Sequence, residues 1–161
     1  MQKENNILIL LGTVLLYSVI TVSCSPGDVY ADSRKIPEYS WDKDHELQLK
    51  ADIQDTISTF DINLVIRTNN NYPYRNIFLF IKTLSPAGQS ITDTVEYYLA
   101  DEKGNWYGSG LGDVNDLSVP FKTSVTFPGS GSYTFNIRHG MREEKLEGVT
   151  DIGIRIKKIK Q

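Results

Sequence analysis

Cysteine and histidine are nearly absent: the 161 residues hold one Cys and two His. A single thiol excludes an intramolecular disulfide, and one Cys with two His cannot complete a four-ligand zinc site of the usual kind. Basic residues are not in excess either. Lys and Arg number 17 against 20 Asp and Glu, a formal charge of −3, which argues against the basic patch or stripe of a nucleic-acid binder. A run long enough to span a bilayer is missing too. The most apolar stretch, the 16 residues from Ile7 to Val22, includes Gly12, Thr13, Ser18 and Thr21, whereas a spanning helix needs about 20 apolar residues. What is present is a globular composition, 40% hydrophobic and 23% charged, at a length that fits one domain.

Ile7 to Val22 follows Lys3 and carries no charge, so it reads as the apolar core of a secretion signal. Cys24, the only thiol, comes directly after it, behind Thr21-Val22-Ser23. That placement resembles a bacterial lipoprotein signal, in which a small residue precedes a Cys that is lipidated and becomes residue one, although Thr21 stands where Leu is usual. A structural Cys would be expected inside a strand. Lipid chains hold firmly, since each buried CH₂ contributes about 0.8 kcal/mol. Ser25-Pro26-Gly27-Asp28 is turn-prone, and the segment through Ser40 alternates charges. It is expected to run over the surface or stay mobile near the lipid. The expected organisation is therefore a signal peptide over 1–23, a lipidated Cys and tether over 24–44, and a folded domain over 45–161.

Beyond residue 45 the dominant period is two, the mark of half-buried strands. Ile62, Leu64 and Ile66 alternate with polar neighbours or Val65, as do Tyr133, Phe135 and Ile137, and again Ile152, Ile154 and Ile156. Val119, Phe121, Val125 and Phe127 share one parity. Ile77-Phe78-Leu79-Phe80-Ile81 is apolar at every position, which predicts a central strand covered on both faces. Turn signals separate these runs at Asn69-Asn70-Asn71, Ser85-Pro86-Ala87-Gly88, Lys103-Gly104-Asn105 and Pro128-Gly129-Ser130-Gly131. The spacing predicts an all-β domain, an antiparallel β-sandwich of about seven or eight strands. Two hairpins are expected, one returning through Gly104 to Trp106-Tyr107, the other joining Ser124–Phe127 to Tyr133–Arg138. The only helical candidate is Met141 to Leu146.

No catalytic residues can be named together. His45 and His139 lack a Ser in a strained turn, and Cys24 is spent on lipid. Gly112-Asp113-Val114-Asn115-Asp116 clusters oxygens that could hold calcium, but Asp and Asn are ordinary turn residues and an EF-hand's spacing is missing, so no metal and no cofactor are expected. Aromatics gather in loops as Tyr72-Pro73-Tyr74-Arg75 and Trp106-Tyr107. Tyr72, Tyr74, Arg75, Trp106 and Tyr107 are thus candidate partner-binding residues, since Tyr, Trp and Arg dominate binding hot spots. They serve equally as caps on the sandwich ends. His139-Gly140-Met141-Arg142 reads as a tight corner at Gly140, with Arg142 pairing to a carboxylate or facing a partner.

An ordered set of segments resembles one family. It runs from the lipoprotein signal through Tyr72-Pro73-Tyr74-Arg75-Asn76-Ile77-Phe78-Leu79-Phe80-Ile81, Asp93-Thr94 and Leu99-Ala100-Asp101 to Gly104-Asn105-Trp106 and Gly108-Ser109-Gly110. Gly131-Ser132-Tyr133-Thr134-Phe135, His139-Gly140-Met141-Arg142, Leu146, Gly148, Asp151, Gly153 and Ile154 close it. Together they are similar to the GldH family of gliding-motility lipoproteins. The resemblance implies a Bacteroidetes cell-envelope lipoprotein, associated in gliding members with adhesin-driven motility and its secretion machinery. The family also occurs in non-gliding members, and no catalytic residues come with it. The expectation is a non-enzymatic lipoprotein, with the outer membrane favoured and the leaflet open, docking on another envelope protein. The alternative is a carbohydrate-binding module, which needs coplanar exposed rings at Trp106, Tyr107, Tyr72 and Tyr74.

Overall fold

The computed structural model describes residues 27–110 and 112–159; Cys24 and the expected signal segment lie outside them. Ten strands are described: β1 (Asp28–Lys35), β2 (Ser40–Asp42), β3 (Leu47–Ile53), β4 (Phe60–Asn69), β5 (Asn76–Leu84), β6 (Ser90–Tyr98), β7 (Val114–Val125), β8 (Gly131–His139), β9 (Lys145–Glu147) and β10 (Val149–Lys158). Eight form two antiparallel four-stranded sheets, ordered β1-β10-β4-β7 and β3-β8-β5-β6, while β2 and β9 make a short side ribbon. The expected antiparallel sandwich stands, with eight strands in its two sheets and two more in the ribbon.

Alternation builds the core. β3, β4 and β8 each bury every second side chain, and Leu49, Leu64, Phe135, Ile137 and Ile154 meet between the sheets. At about 25 cal/mol per Å² of apolar surface removed from water, this contact is the main force holding the sheets together. Side chains close the two lateral seams. Arg34 Nε donates to the Gln48 carbonyl at 3.1 Å on one side. On the other, Tyr97 Oη donates to the Pro120 carbonyl at 2.9 Å and Lys122 Nζ pairs with Asp93 at 2.6 Å.

Several expectations change. Most of the segment read as a tether is folded: β1 is an edge strand paired with β10 from Asp28↔Lys157 to Lys35↔Asp151, and β2 pairs with β9. Its mixed charges fit an edge strand, because charged side chains discourage a further strand from pairing with its open backbone edge. The Ser124–Phe127 hairpin does not form. β7 pairs with β4 in one sheet and β8 with β3 and β5 in the other, so the Pro128–Gly131 turn crosses between sheets. Phe127 plugs that crossing, edge-on to Phe60 and to Tyr133 at 5.4 and 4.8 Å. Met141 to Leu146 is not helical but bends into β9, whose pairing partner lies about a hundred residues earlier.

β5 is central in its hydrogen bonding, between β8 and β6, but is not covered on both faces. Ile77, Leu79 and Ile81 are fully buried, whereas Phe78 and Phe80 on the other face are 36% and 39% exposed. The hairpin through Gly104 does form, reduced to the Ala100↔Trp106 bridge, and Gly104 has the φ of +84° that a side chain would resist.

The strands give the sandwich two ends. One carries Gly27, the 54–59 and 85–89 turns and the 126–130 crossing. The other carries the loops at 70–75, 99–110 and 140–144 with the β2–β9 ribbon.

Candidate functional site

All five candidate partner-binding residues lie at the second end, but they do different things. The Asn69–Asn71 turn is set by Asn71 N–H donating to the Asn69 side chain (2.9 Å) and Tyr72 N–H to the Asn69 carbonyl (3.1 Å). This turns Tyr72 inward. It is 4% exposed, and its hydroxyl donates to the Asn76 carbonyl at 2.7 Å. Burial pushes that phenol well above its ordinary pKa. Gly148 (φ +83°) makes room for the turn: a Cβ there would lie 2.3 Å from the Tyr72 nitrogen. Tyr72 is therefore a packing residue.

Around Tyr72 the rings stand edge-on, Tyr74 at 6.1 Å and 80° and Trp106 at 6.2 Å and 60°. Trp106 is half-buried. Coplanar exposed rings, which a sugar-stacking platform requires, are not formed by this trio. Tyr74 donates its hydroxyl to Glu143 Oε1, which holds the Glu143 carboxyl below its usual range and raises the phenol. Arg75 is exposed, its guanidinium 5.6 Å from the centre of the Tyr98 ring. Tyr107 is 60% exposed, fixed through its N–H to the Leu99 carbonyl at 2.9 Å.

The structure adds residues that sequence reasoning missed. Phe78 and Phe80 emerge on the outer face of the second sheet. Tyr98, 52% exposed, shares that face because Asn76 and Phe78 pair with Tyr98 and Glu96. The 140–143 bend lies alongside. Gly140 N–H donates to the Phe78 carbonyl at 2.7 Å, and the Phe80 ring sits so close that a Cβ on Gly140 would meet it at 3.0 Å. Phe78 N–H points at Met141 Sδ, 3.4 Å away. Tyr74, Phe78, Gly140, Met141, Arg142 and Glu143 line a depression of about 440 Å³. Arg142 is exposed and forms no ion pair among the described residues. The signal for this surface was the double-sided apolar run itself: on an uncovered sheet, its second face is left outside.

The outer face of the first sheet is ionic by contrast. Arg67 lies 2.6 Å from Asp116 and 3.7 Å from Asp151, and Arg155 lies 3.3 Å from Asp28. Asp116 is thereby committed to Arg67, and Asp113 accepts from Asn70 at 3.0 Å, which accounts for the oxygens of the 112–116 loop structurally. Among the described residues no group of three His, Cys, Asp or Glu is placed to hold a metal ion. His139 is 1% exposed and edge-on to Trp41 at 5.4 Å, with no hydrogen-bond partner for either ring nitrogen among the described residues. Burial lowers its pKa.

Residues 28–156 match the family model for "GldH lipoprotein". The chain is 35% identical to the "Gliding motility lipoprotein GldH homolog" of Christiangramia forsetii over 98% of each chain. It is 31% identical to the "Gliding motility lipoprotein GldH" of Flavobacterium johnsoniae, over 90% of this chain and 94% of that one. Among solved structures, the VP2 subviral particle of infectious bursal disease virus aligns with 83% of this chain and 30% of its own. Identity there is 14% and the TM-score 0.36, too low to bear on fold or function.

Proposed function

The chain belongs to the GldH lipoprotein family, and on that premise we propose that it is a non-enzymatic envelope lipoprotein of the gliding or linked secretion machinery. Lipid on Cys24 holds it to the membrane, with the outer membrane favoured. It works by docking the outer face of its second sheet on another envelope protein. The observation that carries this reading is the exposure of Phe78, Phe80 and Tyr98 beside Met141, Arg75 and Arg142. Aromatic residues, Met and Arg are the types enriched where proteins bind proteins, and a groove flanked by anchors is where hot spots form. Tyr74 and Arg75 extend the same surface, Tyr107 stands exposed at the same end, and Tyr72 packs edge-on against Tyr74 and the half-buried Trp106. A non-catalytic role also suits His139, which is buried edge-on against the Trp41 ring.

The test is photo-crosslinking in the native envelope. A photoreactive phenylalanine at position 80 or 98 should yield a protein adduct, and the same group at Lys50, far along the same face, should not. Phe80→Ala and Tyr98→Ala should weaken that capture while the domain stays folded. Adducts of equal yield from all three positions, or glycan recovered in place of protein, would sink the reading.

A further inference from the structure

Among the described residues, the large hydrophobic side chains left exposed divide by chemistry and by place. Val29, Ile57 and Ile91, exposed by 50%, 89% and 67%, are aliphatic; Tyr39, Phe78, Phe80, Tyr98 and Tyr107 are aromatic. The aromatic ones lie on the sheet face or at the end that carries the loops. All three aliphatic ones lie toward the opposite end. Val29 is two residues from Gly27, Ile57 tips the 54–59 turn, and Ile91 follows the 85–89 turn.

The most exposed of them is also firmly built. Asp55 Oδ1 accepts from the backbone N–H groups of Ile57 and Ser58 at 3.0 and 2.9 Å, and Asp55 Oδ2 pairs with Lys158 Nζ at 2.7 Å. These bonds hold the turn closed with the Ile57 side chain outward. The same turn is stitched to the start of the chain's fold: Ile159 N–H donates to the Thr59 carbonyl at 2.9 Å, and Lys158 N–H to the Gly27 carbonyl at 3.1 Å.

Gly27 is three residues from Cys24, a covalent reach of at most about 11 Å. We propose that this end of the sandwich, led by Ile57, rests on the bilayer surface as a second, apolar point of contact beside the lipid. The inference depends on Cys24 carrying the lipid, as read above. Contact at two points orients the domain. β1 alone runs eight residues, about 26 Å at a strand's rise, so the aromatic face and the 70–75 and 99–110 loops are held away from the lipid, facing a partner. Apolar contact and not charge draws this end down, because its ion pairs, Lys158–Asp55 and Arg155–Asp28, neutralise one another.

Both tryptophans, Trp41 and Trp106, belong to the far end, which makes fluorescence a clean reporter. The full lipidated chain, and the same chain with Ile57→Trp, is reconstituted into phosphatidylcholine–phosphatidylethanolamine vesicles with and without brominated acyl chains. Vesicle flotation reports the anchor, and quenching reports depth. Both chains should float. The indole introduced at position 57 should lose at least half its emission to bromine, with little change in 0.5 M salt, while the two native indoles lose little. A floating chain whose new indole is unquenched overturns the proposal but leaves the anchor intact, the result expected if a second copy of the chain covers Ile57. Quenching of the native indoles in the unsubstituted chain overturns it too, since the opposite end would then face lipid. Failure to float removes the anchor reading and the proposal together.

Discussion

Two adjacent positions on β5 should respond to truncation in opposite ways. Leu79 is fully buried, paired across the sheet with Val95 and His139, while Phe80 is 39% exposed. Leu79→Ala removes buried methyls and leaves a cavity, a loss of about 2–5 kcal/mol. Fully burying a Phe ring is worth about 1.5–3 kcal/mol, and with some three-fifths of that realised, Phe80→Ala should cost about 1–2 kcal/mol. The assay is urea unfolding of the full chain in detergent, followed by circular dichroism. With a slope of about 2 kcal/mol per M, the midpoint should drop by about 1–2.5 M for Leu79→Ala and about 0.5–1 M for Phe80→Ala. Partner capture per folded molecule should be unchanged for the first and clearly weakened for the second. Equal loss of stability at both positions, with capture unaffected at position 80, would mean that the outer face is covered and the docking surface does not exist.

Cys24→Ala should abolish palmitate labelling, and persistent label in that variant would place the lipid elsewhere. Gly148→Ala should destabilise by roughly 2 kcal/mol or more, because a Cβ there meets the Tyr72 backbone and φ is +83°; an unchanged melting temperature would contradict the close approach. Stability should fall with acid in two stages. His139 is held below its ordinary 6.5 by burial and Glu143 below its ordinary 4.5 by the Tyr74 hydroxyl. The unfolded chain therefore takes up each proton first, so stability declines as pH falls below about 6.5, first through His139 and then through Glu143 together with Asp55 and Asp101, which their own hydrogen bonds also hold low. His139→Phe keeps the edge-on contact with Trp41 and should flatten the upper stage; a slope that survives the substitution would assign it to another group.

Period-two alternation was enough to fix the all-β class, because a strand with one wet face must place apolar side chains at every second residue. Ile62, Leu64 and Ile66, like Tyr133, Phe135 and Ile137, are buried where their parity put them. The ordered segments likewise carried the family, since they are local strings. Pairing is different, being a relation between distant strings. The Pro128–Gly131 turn is chemically as fit for a crossing as for a hairpin, and only the burial of Phe127 between Phe60 and Tyr133 decides it. β1 shows no strong pattern because it is an edge strand completed by β10, whose matching residues lie more than a hundred positions away. The candidate site divides along the same line. Residue type marked Tyr72, Tyr74, Arg75, Trp106 and Tyr107 alike, but a turn at Asn69 sends Tyr72 inward, while Tyr107, held through its N–H to the Leu99 carbonyl, stays outside. Sequence named the apolar run of β5. Which of its faces meets water was decided by the absence, among the described residues, of any layer over the second sheet, and that is a property of how the layers stack.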